Sequence, residues 1–347
     1  MHTDEVDRKM IIAEIAQGFG GDVGWASMFV EAASSAGANA IKFQVIYADE
    51  IASRNYQHYG LFKSLEMDEA AWVNIGNVSR ERNLIPIFDV FGEQSLGVAI
   101  AAKSEIMVHA TDCVNLPLLK RINESVKNGS RIYVGVGGRD VSEIESAILA
   151  LGDHEVVLMV GHQGYPTPRS DLPISRLKEL QDKYSDTTKI SVGYADHSAG
   201  GLLESLSSTA VAIAAAEIGI IEKHLTMADC MMLEDYESAL SPDEFKLFAT
   251  EVSLLLDNKI NRLENRFSES EVRYRSVVSR IAVAKEDLMA GDIATWETVE
   301  LLRAGIADPN EVFDIRGTIE RLIGLEITKN IRKGEAIVKS AVNIGQM

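Results

Sequence analysis

The sequence predicts an α/β protein: a closed parallel barrel of the (β/α)8 or TIM type, followed by a small β-rich domain. Two observations predict the barrel. Short β-type apolar runs alternate eight times with amphipathic helical stretches, at spacings of ~30 residues that suit a βαβ unit. The runs are apolar on both faces, which is typical of strands in a buried parallel sheet. An open doubly wound sheet is the alternative, but no Gly-x-Gly-x-x-Gly motif follows the first run.

The predicted elements follow one another in a regular order. The strand runs cover residues 10–15, 40–44, 85–89, 105–108, 131–136, 156–160, 189–193 and 218–223. The helical stretches cover residues 25–36, 69–82, 93–102, 116–127, 142–151, 174–184, 202–215 and 242–262. Because a helix lies between each run and the next, we expect consecutive strands to be parallel.

The pattern changes after residue 262. Residues 261–273 are charged and lack strong apolar periodicity, which predicts the end of a helix passing into a linker. From residue 275 onward, short strand-like pieces alternate with turn signals, as in a β-rich domain with little core of its own. We therefore predict a barrel domain over 1–262, a linker over 263–275 and the small domain over 276–347.

Composition and charge argue against several classes of protein. A chain of 347 residues with 46% hydrophobic and 25% charged residues is ordinary for a globular protein. Its net charge of −18 argues against nucleic acid and anionic membranes as partners. Cys113 and Cys230 are too few for a disulfide framework or a cysteine-rich metal site. No signal peptide and no bilayer-spanning run is evident, so we expect a cytoplasmic protein.

Two histidines end neighbouring predicted strands. His197 follows Asp196 in the motif Gly-Tyr-Ala-Asp-His-Ser, and His224 lies one strand later in Ile-Ile-Glu-Lys-His-Leu-Thr. One strand-end histidine alone is more often structural than functional. The carboxyl ends of barrel strands, however, meet at a single mouth, which is where TIM-barrel enzymes carry their active sites. The pair therefore predicts a site that holds a metal or moves a proton.

Further motifs carry a family resemblance. They are Ala-Glu-Ile at 13–15, Gly-Ala-Asn-Ala-Ile-Lys-Phe-Gln at 37–44, Tyr-Pro-Thr-Pro at 165–168, the two histidine motifs, and in the tail Arg-Ser at 275–276, Leu-Arg-Ala-Gly at 302–305 and Asn-Ile-Arg-Lys-Gly-Glu at 330–335. In order and spacing they resemble the sialic acid (N-acetylneuraminate or nonulosonate) synthase family. The resemblance covers nearly the whole chain, and it implies a TIM barrel followed by an antifreeze-like (SAF) domain.

The resemblance also implies a chemistry. Members of the family condense phosphoenolpyruvate, a three-carbon enol donor, with an N-acetylated sugar aldehyde, and they use a divalent metal, here Mn, Mg or Zn. The metal ligands would be His197 and His224. Lys42 would meet a phosphate or carboxylate, and Gln44 and Tyr165 would lie near the acceptor sugar.

The tail carries a further implication. Arg303 matches the arginine that the family's SAF domain extends to the active site of the partner protomer. The resemblance therefore implies a domain-swapped homodimer with composite sites.

Several positions depart from the family pattern, mostly where phosphate would bind. Asp89 stands where a hydroxyl is usual, and a carboxylate repels phosphate. Met-Val-His-Ala-Thr-Asp at 107–112 replaces Lys-x-Gly-Ser-Gly-Glu, so that a lysine and a serine are lost and Asp112 replaces a glutamate. We expect Asp89, His109, Asp112 and His162 to face one mouth. A first substrate other than phosphoenolpyruvate is therefore an open alternative.

The predicted site and the open functions are as follows. We expect catalytic roles for Lys42, Asp112, His162 and Asp196, substrate contacts from Glu14, Gln44, Asp89, His109, Tyr165 and Arg303, and metal binding by His197 and His224. One function is a synthase-like condensation on an amino sugar. The alternatives are a repurposed metal-dependent aldolase, lyase or isomerase acting on a sugar acid without phosphoenolpyruvate, and a non-catalytic binding paralogue. A small-molecule sugar or sugar acid is the expected ligand.

Overall fold

The chain forms two compact units, Met1–Ile260 and Asn261–Met347. A computed structural model describes residues 9–199, 201–264, 267–278, 280–303, 311–313 and 319–344. The first unit is an α/β barrel, and the second is held together by short β pairings. In the described part of the chain, no helix has the length and apolar character needed to cross a membrane.

Eight parallel strands build the barrel. They are β1 (Met10–Glu14), β2 (Ala40–Gln44), β3 (Ile85–Val90), β4 (Glu105–Val108), β5 (Arg131–Gly135), β6 (Glu155–Val160), β7 (Ile190–Asp196) and β8 (Ile220–Leu225). The strands pair in chain order, and β1 also pairs with β8, which closes the sheet. A two-residue strand, β9 (Ala239–Leu240), adds to β8. The predicted TIM-barrel fold is confirmed.

Helices follow the strands. They are α1 (Val23–Ser35), α2 (Ala48–Ile51), α3 (Tyr59–Ser64), α4 (Glu69–Glu81), α5 (Glu93–Ala101), α6 (Leu116–Ser125), α7 (Val141–Leu151), α8 (Ile174–Tyr184), α9 (Leu202–Ala216) and α10 (Pro242–Glu264). Side chains of Asp22, Asp68 and Asn115 cap α1, α4 and α6 by accepting backbone N–H bonds that the first turn leaves open. The short helices α2 and α3 were not predicted.

Alternation along the strands divides the side chains between two faces. Outward-facing Phe43 and Phe88 pack edge-on against Trp72 of α4. Inward-facing side chains fill the middle of the barrel: Met10, Ile12, Ala40, Ile87, Met107, Tyr133, Val157, Met159, Ala195 and Ile220. The next inward-facing residue on each strand is two positions later, at the carboxyl end. Those positions hold most of the chemistry described below.

The second unit contains a helix within the segment predicted as a linker, residues 263–275. Helix α11 (Glu269–Val278) covers most of that segment. Ser268 and Glu271 form a reciprocal cap, with Ser268 N 2.7 Å from Glu271 Oε2 and Glu271 N 3.2 Å from Ser268 Oγ. The Ser-x-x-Glu pattern is a helix-start signal that outweighs weak apolar periodicity.

The β pairing of the second unit follows α11. Strand β10 (Ile281–Ala284) pairs antiparallel with β11 (Val299–Leu302), within the region where short strand-like pieces were predicted. Isolated bridges join Val283 to Ala336 and Ile293 to Glu326. A separate apolar cluster that includes Leu288, Leu322 and Ile337 forms its core.

Candidate active site

A cavity of about 420 Å³, including its open mouth, lies at the carboxyl ends of the barrel strands. Its lining combines charged, amide and aromatic side chains with small residues, as expected of a site for a polar small molecule. Of the predicted site residues, the lining includes Glu14, Lys42, Gln44, His109, Tyr165, His197 and His224.

A buried charge cluster forms one wall. The Lys42 ammonium lies 2.9 Å from Glu14 Oε2 and 2.9 Å from Glu222 Oε2. The strand register places Lys42 directly opposite Glu14, and the other oxygen of Glu14 accepts the Ala16 backbone N–H at 2.7 Å. Glu222 was not predicted. Its signal was its position two residues before His224, which puts both side chains on the same face of β8.

His197 has a fixed orientation. Its Nδ1–H donates to the backbone carbonyl of His162 at 2.8 Å, so Nε2 carries the lone pair and accepts from the Tyr165 hydroxyl at 3.2 Å. The ring centroids of His197 and His224 are 5.4 Å apart. Burial lowers the pKa of His197 to about 4 and the pKa of His224 well below its usual value. Both imidazoles are therefore neutral near pH 7, which is the form that ligates a metal.

The two imidazoles fit part of a catalytic metal site. Catalytic metals commonly keep open positions for water and substrate beside a small set of protein ligands. Within the described residues, no group of three or more His, Cys, Asp or Glu side chains is arranged to hold an ion. Asp235 Oδ2 lies 3.8 Å from His224 Nδ1, which is beyond hydrogen-bond distance. The residues present fit an ion that completes its coordination with water and substrate oxygens.

Asp89 is a fully buried carboxyl group near the end of β3, close to the backbone of His109. The strand register places it between Gln44 and Met107, both of which line the cavity. Burial raises the pKa of Asp89 to about 8, although the nearby Lys42 ammonium opposes that shift. At pH 7 this group is mainly a neutral carboxylic acid, which can donate a hydrogen bond.

Of the other residues predicted at strand ends, only some have side chains that line the cavity. His109 lines the cavity, and burial lowers its pKa to about 4. The Asp112 carboxylate instead accepts hydrogen bonds from Thr111 Oγ1 and Asn115 Nδ2, at 3.1 and 2.9 Å. His162 serves His197 through its backbone carbonyl. The side chains of Asp112 and His162 are not part of the cavity lining.

Asp196 faces away from the cavity. Because His197 points inward, its chain neighbour points towards the helices. The Asp196 carboxylate is fully buried and pairs with the Lys223 ammonium at 2.9 Å. Burial opposes its ionisation, but Lys223 and the hydroxyls of Ser208 and Ser198 hold the pKa of Asp196 below its usual value. The structure therefore places this predicted catalytic carboxylate outside the cavity, in a network behind it.

Arg303 directly follows β11 in the second unit and is exposed there. Its expected place at the active site of a partner protomer stays a prediction.

The barrel and its mouth define a TIM-barrel enzyme. The sequence pattern of the NeuB family matches residues 29–259, and the chain belongs to that family. The N,N'-diacetyllegionaminic acid synthase of Campylobacter jejuni is 26% identical over 350 residues, which cover 95% of this chain and 99% of the relative. This confirms the resemblance seen in the sequence.

Solved structures agree. The N-acetylneuraminic acid (sialic acid) synthetase of Leptospira borgpetersenii is 26% identical and superposes with a TM-score of 0.67, covering 78% of this chain and 92% of that one. The spore coat polysaccharide biosynthesis protein SpsE of Bacillus subtilis is 21% identical with a TM-score of 0.63, covering 97% and 96%. The second likeness supports the fold alone.

Proposed function

We propose that the protein is a nonulosonate synthase-like enzyme, which joins a three-carbon enol donor to an amino-sugar aldehyde in a metal-dependent, aldol-type condensation. One observation carries the proposal: two neutral imidazoles, those of His197 and His224, meet Lys42, Gln44 and Tyr165 in a single cavity. The family membership supports it. Curated relatives include legionaminic, pseudaminic and N-acetylneuraminate-9-phosphate synthases.

Each side chain has a role in this proposal. His197 and His224 hold a divalent ion, Mn, Mg or Zn, which when bound supplies Lewis-acid polarisation of the aldehyde carbonyl. The Lys42 ammonium meets the donor carboxylate, and its own carboxylate partners Glu14 and Glu222 keep it in place at 2.9 Å. The Tyr165 hydroxyl then turns from His197 to a substrate oxygen.

The acceptor side is built for hydroxyl and amide groups. Gln44 Oε1 accepts from Gln17 Nε2 at 2.9 Å, which fixes the Gln44 amide at the cavity wall. A fixed amide and a tyrosine hydroxyl offer donors and acceptors to an acetamido sugar in its open-chain form. His109, which also lines the cavity, provides a further polar group at the end of β4.

A second candidate is a metal-dependent aldolase, lyase or isomerase that does not use phosphoenolpyruvate. The lysine of the charge cluster favours it. The Lys42 ammonium already lies between two carboxylates, so its charge is largely compensated before any phosphate binds. A binding protein without turnover is the third candidate. It predicts ligand binding without product.

The second unit has a place in the same proposal. We propose that it is an antifreeze-like (SAF) domain over 276–347, linked to a barrel domain over 1–262. In a domain-swapped homodimer, its Arg303 would complete the cavity of the partner protomer. With this activity, the protein would be a cytoplasmic biosynthetic enzyme.

The proposal is tested by supplying the purified protein with Mn²⁺, an acetamido hexose and either phosphoenolpyruvate or pyruvate. Mass spectrometry detects a nine-carbon acid, and a phosphate assay follows release from phosphoenolpyruvate. A product with phosphate release supports the synthase, and a product from pyruvate supports the aldolase. The variants His197→Ala and His224→Ala should abolish either product. Binding of a sugar with no product from any donor would contradict both enzyme proposals.

A further inference from the structure

A buried ion pair lies directly behind the two histidines. Asp196 and Lys223 are register partners on β7 and β8, and they form the last rung of that ladder. Their side chains are 0% and 1% exposed. Each residue immediately precedes one of the two imidazoles, so the pair lies on the outer face while His197 and His224 point into the cavity.

Lys223 holds the backbone on both sides of His197. Its ammonium donates to Asp196 Oδ2 at 2.9 Å and lies 3.2 Å from the carbonyl of Ser198 and 3.4 Å from the carbonyl of Asp196. The carbonyl of His197 itself accepts from Ser238 Oγ at 3.0 Å. The strand end that carries this imidazole is therefore fixed at three successive carbonyls, two of them through Lys223.

Asp196 links the same end of β7 and β8 to helix α9. Its Oδ1 accepts from Ser208 Oγ at 2.8 Å, from the Tyr194 hydroxyl at 3.0 Å and from Ser198 N at 3.2 Å. Its Oδ2 accepts from Ser198 Oγ at 2.9 Å. Ser208 belongs to α9, so the carboxylate joins β7, β8 and a helix behind the cavity.

Stability alone does not account for such a pair. Removing both charges from water is costly, and apolar residues of similar size often replace a buried ion pair without loss of stability. What an apolar pair cannot supply is a set of directional bonds to chosen backbone atoms. Here those bonds converge on the residues that flank His197.

We infer that Asp196 and Lys223 are positioning residues, which fix the separation and orientation of His197 and His224 so that the two imidazoles bind one divalent ion. The inference rests on the metal-binding role proposed above and adds to it the reason for a charged pair outside the cavity. Residues that orient metal ligands commonly change metal affinity by ~10–100-fold when they are replaced.

The test is the double variant Asp196→Asn with Lys223→Met, which keeps the two side-chain volumes and removes both charges. Mn²⁺ affinity is measured by calorimetry, and folding is followed by thermal unfolding. We expect affinity to fall ~10–100-fold while the unfolding temperature stays near that of the unmodified protein. Co²⁺ absorption gives a second readout, since its d–d bands report ligand geometry.

A second Lys–Asp pair, next to the start of β7, serves as a matched control. Lys189 precedes β7 and pairs with Asp153 at 2.8 Å, at the opposite end of the barrel and exposed to solvent. The double variant Asp153→Asn with Lys189→Met makes the same chemical change there and should leave Mn²⁺ affinity and the Co²⁺ spectrum unchanged.

Each outcome is decisive. If the unmodified protein binds no Mn²⁺, the proposed metal site fails. If it binds Mn²⁺ and the Asp196–Lys223 double variant binds equally well, the positioning inference is refuted while the proposed function stands. If that variant does not fold, Tyr194→Phe removes one hydrogen bond to Asp196 at almost constant volume. A severalfold loss of affinity then supports the inference, and unchanged affinity refutes it.

Discussion

Replacing Asp89 with asparagine should stabilise the barrel, and the gain should depend on pH. Burial raises the pKa of Asp89 from its ordinary 3.8 to about 8 in the folded protein. Above pH 4 the unfolded chain has released this proton while the folded chain retains it. Folding therefore becomes less favourable as pH rises from about 4 to about 8, because the unfolded state binds fewer protons.

The size of the expected gain in stability follows from the difference between the folded and unfolded pKa values of Asp89. Each pH unit between the two pKa values lowers the free energy of unfolding by about 1.4 kcal/mol. At pH 7 the unmodified protein is therefore less stable by ~4 kcal/mol than a variant with a neutral isostere at this position. Asparagine has nearly the same volume as a protonated aspartic acid and does not titrate. The free energy of unfolding should therefore be nearly equal for the two proteins at pH 4 and should differ by several kcal/mol at pH 8.

Urea unfolding at a series of pH values measures this difference. Trp72 packs against Phe88, the neighbour of Asp89, with ring centroids 5.2 Å apart. In a Trp296→Phe background, which removes the tryptophan of the second unit, fluorescence reports on the barrel. Asp153→Asn is the control, since that exposed carboxylate gains no such stability. A difference between the Asp89→Asn variant and its parent that is constant from pH 4 to pH 8 would refute the reasoning.

Three further predictions concern the site. Replacing His197 or His224 with alanine should remove bound Mn²⁺ and activity together; full metal occupancy in the double alanine variant would contradict the assignment. Arg303→Ala chains mixed with His197→Ala chains should regain part of the activity, since one class of mixed site is intact, and a monomer by light scattering would exclude this. Phosphoenolpyruvate should bind weakly by calorimetry, because several lost charge-assisted hydrogen bonds cost ~1.5–3 kcal/mol each. Micromolar affinity with phosphate release would show that another phosphate cradle exists.

The barrel could be predicted because its signals are local. Apolar runs and amphipathic stretches are properties of short segments, and each predicted barrel helix is observed with its two ends within two residues of the expected positions. The Ser268–Glu271 cap is also a local signal, and it starts a helix within the segment predicted to link the two domains.

Much of the site could also be predicted from the sequence. The cavity brings together Glu14, Lys42, Gln44, Tyr165 and the two histidines, because strand-end residues of a closed parallel barrel must meet at one mouth. The motifs that placed them at strand ends are themselves short and contiguous.

Only the tertiary structure decided which groups form ion pairs and which side chains face the cavity. Glu222 and Lys42 are 180 positions apart and meet only because β1 closes the barrel between β2 and β8. The exact strand ends set which of two adjacent residues points inward, so His197 lines the cavity and Asp196 lies behind it. The raised pKa of Asp89 is likewise a property of its surroundings, since desolvation is the sum of everything packed around a group. A sequence states which residues are present, but electrostatic environment depends on distances that exist only after folding.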